Sequence, residues 1–257
     1  MKKLLFLLLL VPGVLVAQSS FNGTWVGKTD SAKFPEKPDQ YLLDKGMYRC
    51  STCIPKIAIK ADGQDQKVTG SNYFNTRSVK IVDDHTVEFT DKKDGKTIYT
   101  ETDAVSSDGN GLSQKFNDQS EAQTVTGELT MKRVGKGPAG SHALSGSWRA
   151  EKIDLSKSGL TVTYEATADG LKMSSLQGDS YDAKFDGKDY PINGDPGQTM
   201  IALKKIDANT IEATFKRNGK VVGVSHMSVS SDGKTIHVVF NNKENGNKTE
   251  YDLEKQS

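Results

Sequence analysis

The chain is poor in the residues that most catalytic and metal chemistry requires. It has two cysteines, Cys50 and Cys53, and four scattered histidines, His85, His142, His226 and His237. A structural zinc site wants four ligands at suitable spacing, and no second Cys pair or close His pair accompanies the first. A nucleophile elbow, a phosphate-cradling Gly loop and a His-Glu-x-x-His run are all missing, which removes the usual hydrolase, nucleotide-binding and zincin signatures. Charge of one sign is missing too. Lys+Arg is 34 and Asp+Glu is 33, dispersed as on a solvated surface rather than gathered into the basic footprint of a nucleic-acid binder. No apolar run approaches the ~20 residues that a membrane-spanning helix needs.

What is present begins with an export signal. Lys2 and Lys3 precede an apolar run from Leu4 to Val16, and small residues follow at Ala17 and Ser19. This layout predicts a secretory signal peptide over residues 1–19. Cleavage after Ser19 puts Ala17 at the −3 position, and cleavage after Ala17 puts Leu15 there. No Cys follows the run to carry a lipid anchor. The expected location is periplasmic or extracellular. Without Lys2 and Lys3 the remaining chain has 32 basic and 33 acidic side chains.

The rest is a duplication. Val79–Asn117 and Leu203–Asn241 align without a gap at an offset of 124, as Asp83 with Asp207, Glu88 with Glu212 and Gly95 with Gly219. Val105-Ser-Ser-Asp-Gly109 recurs as Val229-Ser-Ser-Asp-Gly233. Phe21-Asn-Gly-Thr-Trp25 matches Leu144-Ser-Gly-Ser-Trp148 at an offset of 123, so one insertion reconciles the two blocks. Solenoid repeats run about 20–50 residues; this period is that of domain duplication. The expected layout is a β-repeat domain over 20–134, a Gly/Pro linker over 135–143 and a second β-repeat domain over 144–257.

Strands follow from period-2 alternation. Val87 and Phe89 alternate with Thr86, Glu88 and Thr90, and Ile236, Val238 and Phe240 do the same in the second copy. Asp94-Gly95, Asn218-Gly219, Asp62-Gly63, Asp186-Gly187 and similar pairs lie between the runs and accept the positive φ of tight hairpins. With no amphipathic helix in sight, the expected fold class is all-β: two tandem antiparallel meander β-barrels, or curled sheets, with about eight to ten strands per copy.

Each copy opens with Gly-x-Trp, at Gly23-Thr-Trp25 and Gly146-Ser-Trp148, and closes with a strand carrying a basic residue, in Glu128–Arg133 and Glu250–Lys255. This resembles the calycins, the lipocalin and fatty-acid-binding protein group, in which the Gly-x-Trp strand packs beside a basic residue of the last strand. The resemblance implies that Trp25 pairs with Arg133 or Lys132 and Trp148 with Lys255, an indole face accepting a cation. It covers only the ends of each copy: the Thr-Asp-Tyr turn of lipocalins and the helical lid of fatty-acid-binding proteins are absent, and Thr161–Tyr164 reads as strand. The whole chain also resembles exported bacterial proteins with the same tandem layout and no assigned activity.

Of the candidate chemical groups, Cys50-Ser-Thr-Cys53 reads as a disulfide in an oxidising compartment. Its flanks read as strand or turn, not as the helix N-terminus that thioredoxin-type chemistry needs. His226 and His237 are expected on neighbouring strands, and His85 in a hairpin turn. Glu88 and Glu212 recur on the presumed solvent face, and no carboxylate pair suited to acid–base work emerges. The functional expectation is a non-enzymatic exported module binding a small apolar or amphipathic ligand, with no catalytic residue, cofactor, metal or nucleic acid and no integral membrane segment. The alternatives are a structural or interaction protein of the cell envelope and, more remotely, an enzyme or enzyme inhibitor.

Overall fold

The computed structural model of the chain describes residues 20–256. The predicted signal peptide and both cleavage positions lie outside the described residues. In the first repeat the strands are β1 (Gly23–Lys33), β2 (Asp39–Asp44), β3 (Met47–Cys50), β4 (Ile57–Lys60), β5 (Gln66–Lys67), β6 (Thr76–Ile81), β7 (Thr86–Lys93), β8 (Lys96–Val105), β9 (Gly111–Asp118) and β10 (Val125–Lys136). The second repeat has β11 (Gly146–Leu155), one turn of helix α1 (Lys157–Leu160), β12 (Thr161–Ala166), β13 (Gly170–Ser175), β14 (Ser180–Lys184), β15 (Tyr190–Pro191), β16 (Met200–Lys205), β17 (Thr210–Arg217), β18 (Lys220–Val229), β19 (Thr235–Asn242) and β20 (Lys248–Lys255). No helix among the described residues is long and apolar enough to cross a membrane.

These strands form two ten-stranded antiparallel sheets, each curled into a nearly closed barrel. The expected hairpins are there, with Asp94-Gly95 and Asn218-Gly219 at positive φ in both residues. Lys45-Gly46 adopts the same conformation without the Asp or Asn that usually marks it. Near-closure comes from short bridges, Asp62 to Lys80 in one barrel and Ser180 to Asn193 in the other.

The barrels do not follow the repeat boundaries at 20–134 and 144–257. The first barrel is β2 to β11, and the second is β12 to β20 together with β1. The two repeats have exchanged their first strands. In β1, Trp25 pairs with Lys255 of β20 and Val162 of β12. In β11, Trp148 pairs with Arg133 of β10 and Asp39 of β2. The segment after β1, Phe34-Pro35-Glu36-Lys37-Pro38, gives a local reason. Each proline drives the residue before it toward extended backbone, so the chain runs on from β1 to the neighbouring barrel instead of turning back.

Two separate cores result. One gathers Phe21 and Trp25 with Leu171, Ile201, Leu203, Ile236 and other second-repeat residues. The other gathers Trp148 and Leu144 with Leu43, Val79, Val87, Leu112 and Met131 of the first repeat. The single insertion between the copies falls in the loop before β4. Six residues, Ser51–Lys56, join Cys50 to Ile57, and seven, Ser174–Ser180, join Met173 to Tyr181, which pair in the corresponding positions. Cys50 is therefore the counterpart of Met173 in the sheet.

Candidate functional site

The contact between an indole and a basic side chain exists twice, but across the repeats. The Arg133 guanidinium lies 3.9 Å from the Trp148 ring centroid, and Lys255 Nζ lies 5.1 Å from that of Trp25. The pairings implied by the resemblance, Trp25 with Arg133 or Lys132 and Trp148 with Lys255, are thus exchanged, because β1 and β11 have changed places. Both indoles are fully buried and donate their N–H to the carbonyl four residues before, Trp25 to Phe21 and Trp148 to Leu144, each at 2.9 Å. Arg133 also donates to the carbonyls of Gly109, Ser145 and Ala143. The glycines have a steric reason. A Cβ on Gly23, which has φ +126, would stand 2.9 Å from Lys255 Cε. One on Gly146, with φ +140, would stand 2.6 Å from Arg133 Nη1 and collide with the Gly135 carbonyl oxygen. These six residues pack together in two sets of three, Gly23, Trp25 and Lys255 in one barrel and Arg133, Gly146 and Trp148 in the other.

Above the apolar core of the first barrel lies a chamber of about 360 Å³, within the range of small-molecule sites. It is lined by Tyr41, Tyr48, Phe74, Arg77, Asp91, Tyr99, Glu101 and Gln114, with Cys53, Tyr73, Asp118 and Ser120 among the remaining lining residues. The strands deliver these groups by alternation. Along β8, Tyr99, Glu101, Asp103 and Val105 share one face, and Asp91 on β7 continues the face of Val87 and Phe89.

Arg77 and Asp91 form a bidentate ion pair, Nε to Oδ1 and Nη2 to Oδ2 both at 2.6 Å. The guanidinium lies 5.0 Å from the Phe74 ring centroid. Burial alone would lower the Arg77 pKa, but the bond and charge of Asp91 raise it above its ordinary value. Glu101 accepts from the Tyr99 hydroxyl, and Asp103 accepts from Gln114 Nε2 at 3.1 Å. Burial, opposed by the Tyr99 hydrogen bond and by Arg77, raises the Glu101 carboxyl. Burial and then the charge of Glu101 raise Asp103 further. Burial likewise lifts the Tyr48 and Tyr99 hydroxyls above the ordinary phenol range.

The same positions in the second barrel are apolar or small. At the offset of 124, Arg77, Asp91, Tyr99, Glu101, Asp103 and Gln114 meet Ile201, Phe215, Gly223, Ser225, Met227 and Val238. A different cavity, about 460 Å³, lies where the second barrel meets the exchanged strands. Its walls are chiefly apolar: Ala32 and Phe34 of the β1 end, Ile153 and Leu155 of β11, Leu160 of α1, and Val162, Met173, Tyr251 and Leu253.

The predicted disulfide Cys50–Cys53 is present, and Cys53 lines the mouth of the first chamber. The histidines serve the surface. His237 Nδ1 lies 2.8 Å from Asp252 Oδ1 and His226 Nε2 lies 3.5 Å from Glu212 Oε2, on the neighbouring strands β19 and β18. The His85 amide donates to Asp83 Oδ1 within its turn at 2.8 Å, and His142 Nε2 meets the Asp83 carbonyl at 2.7 Å. Glu88 is ion-paired with Lys80 on the outer face.

The chamber residues belong to no motif of the sequence, in which no carboxylate pair stands out. Their signal was the repeat itself: polar side chains at six aligned positions where the other copy has apolar or small ones. Compared with family models, curated proteins and solved structures, the chain matches none.

Proposed function

We propose that this is an exported, non-enzymatic module that binds small molecules inside its barrels. The observation that carries the reading is the pair of cavities, about 360 Å³ in the first barrel and about 460 Å³ where the second barrel meets the exchanged strands. The apolar chamber suits an apolar or amphipathic ligand. Export rests on the layout of residues 1–19 and the disulfide, which belongs to an oxidising compartment.

Native mass spectrometry of protein recovered from its cell fraction tests both parts. The expected denatured mass begins at Ser20 or Gln18, and the expected native spectrum carries an adduct that denaturation removes. N-phenyl-1-naphthylamine, an apolar dye, should brighten on binding at the second barrel, and Met173→Trp, which fills that cavity, should abolish the gain. A bare native mass together with no dye response in the unsubstituted protein would overturn the reading.

A further inference from the structure

We propose that the first-barrel chamber is a site for a small organic cation, an ammonium carried on an aromatic or similarly compact body, with Glu101 as its counter-ion. This rests on reading the barrels as small-molecule chambers and names the chemistry that one of them selects.

The charges in the chamber do not balance. Arg77 is its only cation, and Asp91 engages it through two short bonds. Glu101 and Asp103, two residues apart on one face of β8, have no cation of their own. Asp103 is 2% exposed. One of its oxygens takes the Gln114 amide, and the other, Oδ1, has no donor. Asp103 lies within hydrogen-bonding reach of Glu101, so the two carboxyls can share one proton. That pair then keeps one negative charge, centred on Glu101, which lines the open space, and Asp118, whose carboxyl is bound only by Ser120, adds a further acidic group to the lining. Desolvated charge without a partner is costly, and a ligand that brings a positive group to Glu101 removes that cost.

The walls suit the same occupant. Tyr41, Tyr48, Phe74 and Tyr99 surround the space, and aromatic faces attract ammonium groups, more strongly when desolvated. An anionic ligand would find the charge of Arg77 already countered by Asp91 and meet Glu101 as a like charge. A metal ion is disfavoured by the donor set: among the described residues no three His, Cys, Asp or Glu side chains converge closely enough to hold one. The chamber volume, about 360 Å³, suits a body of about one aromatic ring with a short amine arm.

The test is calorimetric titration of the whole protein at pH 7 with three probes of one shape: 2-phenylethylammonium, 2-phenylethanol and 3-phenylpropionate. The ammonium should bind with 1:1 stoichiometry, at least tenfold tighter than the alcohol, with no heat from the carboxylate. Glu101→Gln keeps the volume and the acceptor for Tyr99, and Glu101→Ser installs the residue of the second repeat. Both should weaken the ammonium tenfold or more, with melting curves confirming the fold. Alcohol binding equal to or tighter than the ammonium overturns the cation assignment and leaves the chamber a binding site. Unchanged ammonium affinity in both folded variants overturns the role of Glu101 and with it the proposal. Silence from all three probes overturns the proposal as well, while the dye and native-mass results judge the broader reading separately.

Discussion

At the scale of single residues, the Gly-x-Trp motif has one physical task in each repeat. Glycine lets a basic side chain cross the backbone without meeting a Cβ, and the indole behind it receives the charge. Truncating either indole, Trp25→Ala or Trp148→Ala, should cost about 3–5 kcal/mol, read from denaturant unfolding. The exchange of partners gives a sharper test. A double-mutant cycle between Arg133→Met and Trp148→Leu should show a coupling of about 0.5–2 kcal/mol. The cycle between Arg133→Met and Trp25→Leu should be additive within about 0.5 kcal/mol, because these residues belong to different barrels. Coupling in the second cycle and none in the first would contradict the strand exchange. The motif was legible in the sequence because both copies repeat it. The chamber was not, because Glu101 and Asp103 alternate with threonine and alanine, a pattern that does not by itself say which face turns inward. The apolar residue Met227, which stands in the second copy where the first has Asp103, assigns the inward face.

At the scale of elements, the open ends of the barrels meet through their loops. The Gln123 amide donates to the Gln177 carbonyl at 2.9 Å, Asn72 Nδ2 donates to the Gly197 carbonyl at 3.2 Å, and the Arg217 guanidinium lies 5.2 Å from the Tyr73 ring centroid. Within this contact Glu121 of the first repeat faces Asp179 of the second, and each has a buried oxygen with no donor. Burial first, then the charge of Asp179, pushes Glu121 from its ordinary value of 4.5 up to about 8. Burial also raises Asp179. Below pH 4.5 Glu121 is protonated whether the chain is folded or not, and it adds no pH dependence. Between 4.5 and about 8 the unfolded chain releases a proton that the folded one keeps, so stability falls as pH rises. Above about 8 the loss is complete. Glu121→Gln should therefore melt with the parent protein at pH 4 and above it at pH 9, with a flatter profile between, as measured by scanning calorimetry. A parent profile that rises across this window would contradict the raised Glu121 carboxyl. Strands and hairpins were legible in alternation and in Asp-Gly and Asn-Gly pairs. The loop docking was not, because it joins residues far apart in sequence that carry no pattern of their own.

At the scale of the whole molecule, the duplication and the all-β class were legible, whereas the exchange of β1 and β11 was not. The reason is the duplication itself. Two strands with the same Gly-x-Trp opening present the same pairing edge, so each fits either barrel, and the repeat pattern does not choose between them. The choice lies in the connection. Pro35 and Pro38 keep the segment after β1 extended, and β11 enters the first barrel before α1 and β12 begin the second. The units that contain a whole barrel are therefore not the repeats. Asp39–Leu155 holds β2 to β11 and the complete core around Trp148, and it should fold alone as a monomer. Ser20–Lys136 holds one whole repeat but lacks β11, so its barrel is completed only by β1. With the extended hinge opposing return of β1 to its own barrel, two copies should exchange first strands and reproduce between chains the arrangement the full chain makes within itself. Light scattering after gel filtration would read this directly, with monomer expected for the first fragment and dimer for the second. Replacing Phe34–Pro38 in the repeat fragment by a short Asn-Gly turn, which favours a hairpin, should shift it toward monomer. If the repeat fragment were monomeric without that change, Pro35 and Pro38 would not be what keeps the strands apart.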